Sequence, residues 1–103
     1  MMEIEVKKLK TILDINEMVL LDVREPYEVE ICKIKGSLFI PMNEIPYKLN
    51  QLDKEKSYAV MCHSGVRSLH VTNYLNGQGY KALNVVGGID MWALAVDNDM
   101  IRY

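Results

Sequence analysis

The sequence predicts an α/β fold in which helices flank a central, mostly parallel sheet of about five strands. Short apolar runs alternate with segments of helical periodicity, and each run is bounded by charge, Gly or Pro. Half of the 103 residues are apolar and a quarter are charged, which is typical of a globular protein. A chain of this length has room for one domain, so we expect residues 1–103 to form a single folded unit.

Four apolar runs predict buried strands, because each is too short to be a helix. They cover residues 19–23, 38–40, 58–62 and 83–86. A weaker run at residues 4–6 predicts a further strand near the N-terminus.

The segments between the strands carry the spacing of amphipathic helices. They cover residues 7–15, 43–52, 67–75 and 88–96. Asn76-Gly77 follows the third of these and is a pair of residues that commonly ends a helix.

Charge and hydropathy exclude several function classes. Twelve Lys and Arg against fourteen Asp and Glu leave a net charge of −2, without the basic surface that phosphate backbones or anionic membranes attract. No apolar run approaches the ~18 residues that span a bilayer, and residues 1–10 lack the apolar core of a signal peptide. We therefore expect a cytoplasmic protein with reduced thiols that binds neither nucleic acid nor membrane.

Polar residues follow the predicted strands at the edge where open α/β sheets bind their ligands. Asp22 and Arg24 lie at the end of one strand, and Cys62 ends another. A helix is predicted to begin about five residues after Cys62, so the connection is short, and it contains Gly65. Such a turn can aim several N–H groups inward at the start of a helix, which favours bound anions.

A cysteine in the centre of such a turn has a specific chemistry. The N–H dipoles favour the thiolate of Cys62, Arg67 adds a fixed positive charge with a planar donor fork, and Ser68 can cap the helix or donate to the sulfur. This pattern is typical of a nucleophile that attacks an anionic substrate. The alternative on these residues alone is a buried strand cysteine followed by a solvated arginine.

The run Cys62-His63-Ser64-Gly65-Val66-Arg67-Ser68 resembles the active-site loop of rhodanese-domain sulfurtransferases. Three further segments resemble motifs of that family in the same order: residues 21–28, residues 34–41, and Gly87-Gly88-Ile89 followed by Trp92. Residues 92–103 are similar to the end of rhodanese domains fused to ubiquitin-activating-like adenylyltransferases. The chain is thus identified as a single rhodanese domain, and the resemblance implies a three-layer sandwich.

The resemblance implies that Cys62 accepts a sulfane sulfur from a small anionic donor such as thiosulfate. Cys62 would hold it as a persulfide and pass it to cyanide, to a thiol or to an acceptor protein. The implied loop and substrate-binding residues are His63, Ser64, Gly65, Val66, Arg67 and Ser68. Asp22 and Arg24 would brace the neighbouring loops.

The spacing within the loop separates two kinds of chemistry. Cys62 and Arg67 enclose four residues, whereas dual-specificity phosphatases of similar fold enclose five. The longer loop fits a tetrahedral phosphate and the shorter one fits a single sulfur. A phosphatase or arsenate reductase is therefore the less favoured alternative, and a sulfur-relay or regulatory module with little turnover is another.

Two positions leave questions open. Cys32-Lys33 stand where the family usually has Gly-His, so Cys32 is interpreted as a small packing residue rather than a resolving thiol. His63 is expected to be a solvated side chain that tunes donor choice, with a general base as the alternative. Cys62 and His63 are adjacent and Cys32 is far away in sequence, so the chain lacks the ligand spacing that is typical of a metal site. We therefore expect no metal and no other cofactor.

Overall fold

A computed structural model describes residues 2–103, which contain one five-stranded parallel sheet. Its strands are β1 (Glu3–Ile4), β2 (Val19–Asp22), β3 (Leu38–Phe39), β4 (Ser57–Met61) and β5 (Lys81–Val85). They lie in the order β1-β5-β4-β2-β3, and every neighbouring pair is parallel. The predicted α/β class and five-stranded sheet are confirmed.

Residues 2–103 contain four α-helices, of which three lie between strands and the fourth follows β5. These are α1 (Val6–Asp14), α2 (Pro26–Ile31), α3 (Val66–Gly77) and α4 (Gly88–Ala95). None of the helices within residues 2–103 has the length and apolar character needed to cross a membrane.

The central strand β4 separates two apolar layers. Tyr58 and Val60 pack with the residues of α3, and Cys62 continues on that side. Ala59 and Met61 point to the opposite face, where they pack with the buried residues of α1 and α4. This alternation of period two gives the three layers that the resemblance implied.

The segment predicted as a helix over residues 43–52 is instead two 3₁₀ segments, Met42–Tyr47 and Leu49–Gln51. Pro46 lies inside the first, and it has no N–H to donate to a regular α-helix. The apolar residues of this segment still face the core as predicted, since Ile45 and Leu52 are buried in the layer that contains α3.

Helix α2 was not predicted, because six residues are too few to show a helical period. Its start nevertheless carries a local signal. The Glu28 carboxylate reaches back to accept the N–H of Glu25, as in a capping box, and Pro26 occupies the first helical position. This short helix places Glu28 at the carboxyl edge of the sheet.

The end of α3 differs from the prediction by two residues. The helix continues through Gly77, and Gly79 takes the left-handed conformation with φ of +91°. The Asn76 side chain pairs with the backbone of Ala82, accepting its N–H at 2.9 Å and donating to its carbonyl at 3.0 Å. Asn76 thus ties the helix to β5 instead of ending it.

Candidate active site

Cys62 lies directly after β4, at the carboxyl edge of the sheet, with 1% of its surface exposed. Residues 62–65 then turn back, and α3 begins at Val66. The predicted loop between a buried strand and a helix is therefore present, with the cysteine at its base.

The sulfur of Cys62 has three hydrogen-bond partners, two of which are backbone N–H donors. The N–H of Gly65 lies 3.1 Å from Sγ, the N–H of Ser68 3.4 Å, and the Ser68 hydroxyl 3.3 Å. Burial raises the pKa of the Cys62 thiol, but the hydrogen bonds of Ser68 and the loop N–H groups outweigh it, so that this pKa falls below its ordinary value. The site favours a thiolate, which is the nucleophilic form.

The turn depends on Gly65, whose φ of +107° lies in the left-handed region. A β-carbon there would lie 3.4 Å from the backbone nitrogen of Gly87, so the loop also packs closely on the start of α4. Both constraints favour glycine at this position.

Helix α4 holds the loop from the other side. The N–H of Ile89 donates to the Cys62 carbonyl at 2.9 Å, and the N–H of Asp90 donates to the His63 carbonyl at 3.1 Å. Gly88 makes this approach possible, because its φ is +61° and a β-carbon would collide with both carbonyls. The first turn of α4 thus fixes the backbone at Cys62 and His63.

The residues expected to brace the loops form a buried ion pair. Arg24 and Asp22 are both inaccessible to solvent, and Arg24 Nη2 lies 2.7 Å from Asp22 Oδ2. Arg24 also donates to the carbonyls of Glu28, at 3.2 Å, and Cys32, at 2.8 Å. The pair therefore connects the end of β2 to Glu28 within α2 and to Cys32 at the C-terminal end of that helix.

Arg67 is placed differently from the expectation that its donor fork would be free for an anion. Nη1 and Nη2 bind the two carboxylate oxygens of Glu28 at 2.6 and 2.8 Å. The Arg67 guanidinium, outweighing the effect of burial, lowers the pKa of Glu28 to about 2. Glu28 is an ion at neutral pH, and it occupies the fork that was assigned to the substrate.

Tyr103 also contacts this group, although the sequence interpretation did not select it. Its hydroxyl accepts a hydrogen bond from Arg24 at 3.0 Å and donates one to Glu28 at 2.8 Å. Burial, the largest of several opposing influences, raises the pKa of Tyr103 to about 12, so the phenol keeps its proton. No local pattern marks Tyr103, because its partners lie more than seventy residues earlier.

His63 is a packing residue of the loop, which corrects the expectation of a solvated side chain. Its ring stacks on Tyr103 with centroids 4.1 Å apart and an interplanar angle of 13°. Its Nε2 atom is buried and has no hydrogen-bond partner among residues 2–103. Ser64 and Val66, by contrast, lie exposed on the outside of the loop.

Cys32 lies at the end of α2, partly buried against the brace. Its sulfur is 3.9 Å from Nη1 of Arg24, and its carbonyl accepts a hydrogen bond from the same guanidinium. These contacts agree with the interpretation of Cys32 as a packing residue.

Comparisons with known proteins agree with this geometry. The rhodanese-like domain family matches residues 5–95. A putative sulfurtransferase of Bacillus subtilis, YtwF, is 46% identical over 77 residues, which are 75% of each chain. The crystal structure of a rhodanese-like domain protein from Staphylococcus aureus superposes with a TM-score of 0.87 at 34% identity, covering 100% of this chain and 99% of that one.

The resemblance of the C-terminal segment to fused domains has a counterpart among the relatives. A probable adenylyltransferase/sulfurtransferase of Mycobacterium tuberculosis, MoeZ, is 32% identical over 91 residues, which cover 85% of this chain and 23% of that protein. With the family match spanning most of the sequence, the chain belongs to the family of rhodanese-like domains.

Proposed function

We propose that this protein is a sulfurtransferase that moves a sulfane sulfur through a persulfide on Cys62. The observation that carries the proposal is the buried Cys62 sulfur, on which two backbone N–H groups and a hydroxyl converge. The two backbone donors stabilise a negative sulfur before and after transfer. The sulfurtransferases among its relatives support the same chemistry.

The proposed reaction has two steps. The Cys62 thiolate attacks the outer sulfur of a donor such as thiosulfate; a bond forms between the two sulfurs, the sulfur–sulfur bond of thiosulfate breaks, and sulfite leaves with the electron pair. The outer sulfur of the resulting persulfide then bonds to cyanide or to a thiol acceptor, and Cys62 is released as the thiolate.

Loop size supports sulfur rather than phosphorus chemistry. Four residues separate Cys62 from Arg67, and the donors within the loop point at one sulfur atom. A transferred phosphoryl group carries three equatorial oxygens that need a wider set of donors. In this chain Arg67, which would serve such oxygens, is already paired with Glu28.

The expected partners follow from this chemistry. They are a small sulfur donor and a thiol or protein acceptor, with residues 1–103 acting as one domain without a cofactor. A thiol nucleophile must stay reduced to work, so we place the protein in the cytoplasm.

Turnover with thiosulfate and cyanide tests the proposal. Cys62→Ser should abolish thiocyanate formation, whereas Cys32→Ala, the matched loss of the other thiol, should keep most of it. Turnover by Cys62→Ser contradicts the proposal. A loss on the order of 100-fold in folded Cys32→Ala, the size expected for an acid–base group, would make Cys32 a working thiol. A relay module would load Cys62 but release thiocyanate at no more than background rate.

A further inference from the structure

The positive charge beside the nucleophile is cancelled within the protein. Arg67 and Glu28 share two hydrogen bonds of 2.6 and 2.8 Å, and the Glu28 side chain is only 4% exposed. Paired ions of opposite sign present no net charge to an approaching molecule. The Arg67 side chain is 32% exposed, so an anion that reaches the Cys62 loop meets a guanidinium whose charge is offset by the Glu28 carboxylate bound to it.

Glu28 is also held in place by groups other than Arg67. The N–H of Glu25 donates to Oε1 at 2.9 Å, and the Tyr103 hydroxyl donates to Oε2 at 2.8 Å. Tyr103 is the donor in its bond with Glu28, because an ionised carboxylate can only accept. Arg24 can only donate, so it binds the phenol oxygen and leaves the hydroxyl proton to Glu28. Glu28 cannot turn away from Arg67 without losing these bonds.

The surface next to Arg67 is apolar rather than cationic. Val66 and Leu69, on the first turn of α3, are 64% and 42% exposed. Such side chains favour contact with the carbon atoms of a sulfur carrier over contact with a small hydrated anion.

We propose that Glu28, positioned by Tyr103, selects the donor class, disfavouring small dianions such as thiosulfate and favouring a persulfide carried on a thiol. This inference rests on the proposed function. The Cys62 thiolate bonds to the outer sulfur of the carrier persulfide, the sulfur–sulfur bond of the carrier breaks, and its electron pair leaves on the carrier thiolate. No oxidant or reductant is required, and the leaving group bears one charge instead of the two of sulfite.

Rates of Cys62 persulfide formation test the proposal with two probes. One is thiosulfate and the other is the persulfide of N-acetylcysteine methyl ester, whose carrier is uncharged. Wild type should have the higher kcat/KM with the carrier persulfide. Glu28→Gln should raise the ratio of thiosulfate to carrier-persulfide kcat/KM by about tenfold, mainly through the KM for thiosulfate, because it removes a repelling charge near the dianion.

Two further variants make the result specific. Glu17→Gln removes the same charge from an exposed position before β2 and should leave the ratio within about twofold of wild type. Tyr103→Phe keeps the aromatic ring but removes one of the hydrogen bonds that hold the Glu28 carboxylate, and it should raise the ratio by about threefold, less than Glu28→Gln, because the charge of Glu28 remains. Arg67 stays intact, because its removal would leave a buried unpaired carboxylate.

The outcomes separate this inference from the proposed function. Failure of both probes to place sulfur on wild-type Cys62 contradicts the function itself. Loading of Cys62 with an unchanged donor ratio in folded Glu28→Gln overturns the inference alone. Circular dichroism reports folding, and where Glu28→Gln does not fold, the ratio in Tyr103→Phe decides in the same sense.

Discussion

The Asn84 side chain controls the only proton of the Ser68 hydroxyl. Asn84 Nδ2 donates to the Gly65 carbonyl at 3.1 Å, so its Oδ1 faces Ser68 and accepts that hydroxyl at 2.5 Å. The same hydroxyl lies 3.3 Å from the Cys62 sulfur. When Cys62 ionises, the thiolate and the Asn84 oxygen compete for this one proton.

Ser68→Ala should move the acid limb of the pH–rate profile for persulfide formation to higher pH. The hydroxyl favours the thiolate, so its loss raises the pKa of Cys62 and lowers the thiolate fraction at neutral pH. Ser37→Ala, which removes a hydroxyl bound to the Ile34 carbonyl, is the matched control and should leave the limb in place. An acid limb at the same pH in Ser68→Ala as in wild type would show that the hydroxyl does not lower the pKa of Cys62.

Acid should weaken the fold through Glu28. Its pKa is about 2 in the folded protein against 4.5 for the free side chain, so its stabilising effect is complete above pH 4.5 and is lost as pH falls toward 2. This one group should cost about 2 kcal/mol between pH 7 and pH 3. Urea unfolding of wild type, Glu28→Gln and Glu17→Gln measures the effect, and Glu28→Gln alone should show a smaller acid loss. Equal losses in all three proteins would exclude Glu28 as the source.

Gly88→Ala should destabilise the protein and disturb the active site together. The left-handed φ alone costs about 1–2 kcal/mol for a residue with a side chain, and the new β-carbon meets the Cys62 and His63 carbonyls. The midpoint temperature of thermal unfolding and the rate of thiosulfate turnover should therefore both be lower than in wild type.

Gly77, at the end of α3, is the control position, because an added β-carbon has free space there. It is helical, and a β-carbon there would meet nothing within 4 Å. Gly77→Ala should therefore stabilise the fold by up to about 1 kcal/mol and leave turnover unchanged. Similar behaviour of the two alanine variants would contradict the role given to Gly88.

Lengthening the loop tests its fit to sulfur. One glycine inserted between Ser64 and Gly65 displaces the N–H groups from the Cys62 sulfur. Sulfur transfer should fall by about 100-fold, the usual effect of losing one preorganised donor. Wild type should hydrolyse an aryl phosphate poorly. Unchanged sulfur transfer after insertion, or a wild-type preference for the aryl phosphate, would favour a phosphatase.

Local patterns were sufficient to predict the sheet and the loop that follows Cys62. Strands β2 and β4 are short apolar runs bounded by polar residues, and the loop after Cys62 is a continuous motif. The start of β5 was predicted two residues late, at Leu83, because Lys81 is an exposed charged residue and alanine is a weak strand former. The helical spacing of residues 43–52 was real, but Pro46 changes the hydrogen bonding and not which side chains face the core.

The group around Arg67 could not be predicted, because its contacts are distant in sequence. Glu28 lies 39 residues from Arg67, and Tyr103 lies 75 residues from Glu28. An arginine in a loop motif shows that a charge is available but not whether the fold neutralises it. That pairing arises only when α2 and the C-terminal segment meet at the edge of the sheet.

Intact-protein mass measurement after incubation with a sulfur donor tests the central claim most directly. Wild type should gain the mass of one sulfur atom, cyanide should remove it as thiocyanate, and Cys62→Ser should gain none. A sulfur adduct that persists in Cys62→Ser, or its absence from wild type with both thiosulfate and a thiol persulfide, would contradict the persulfide on Cys62.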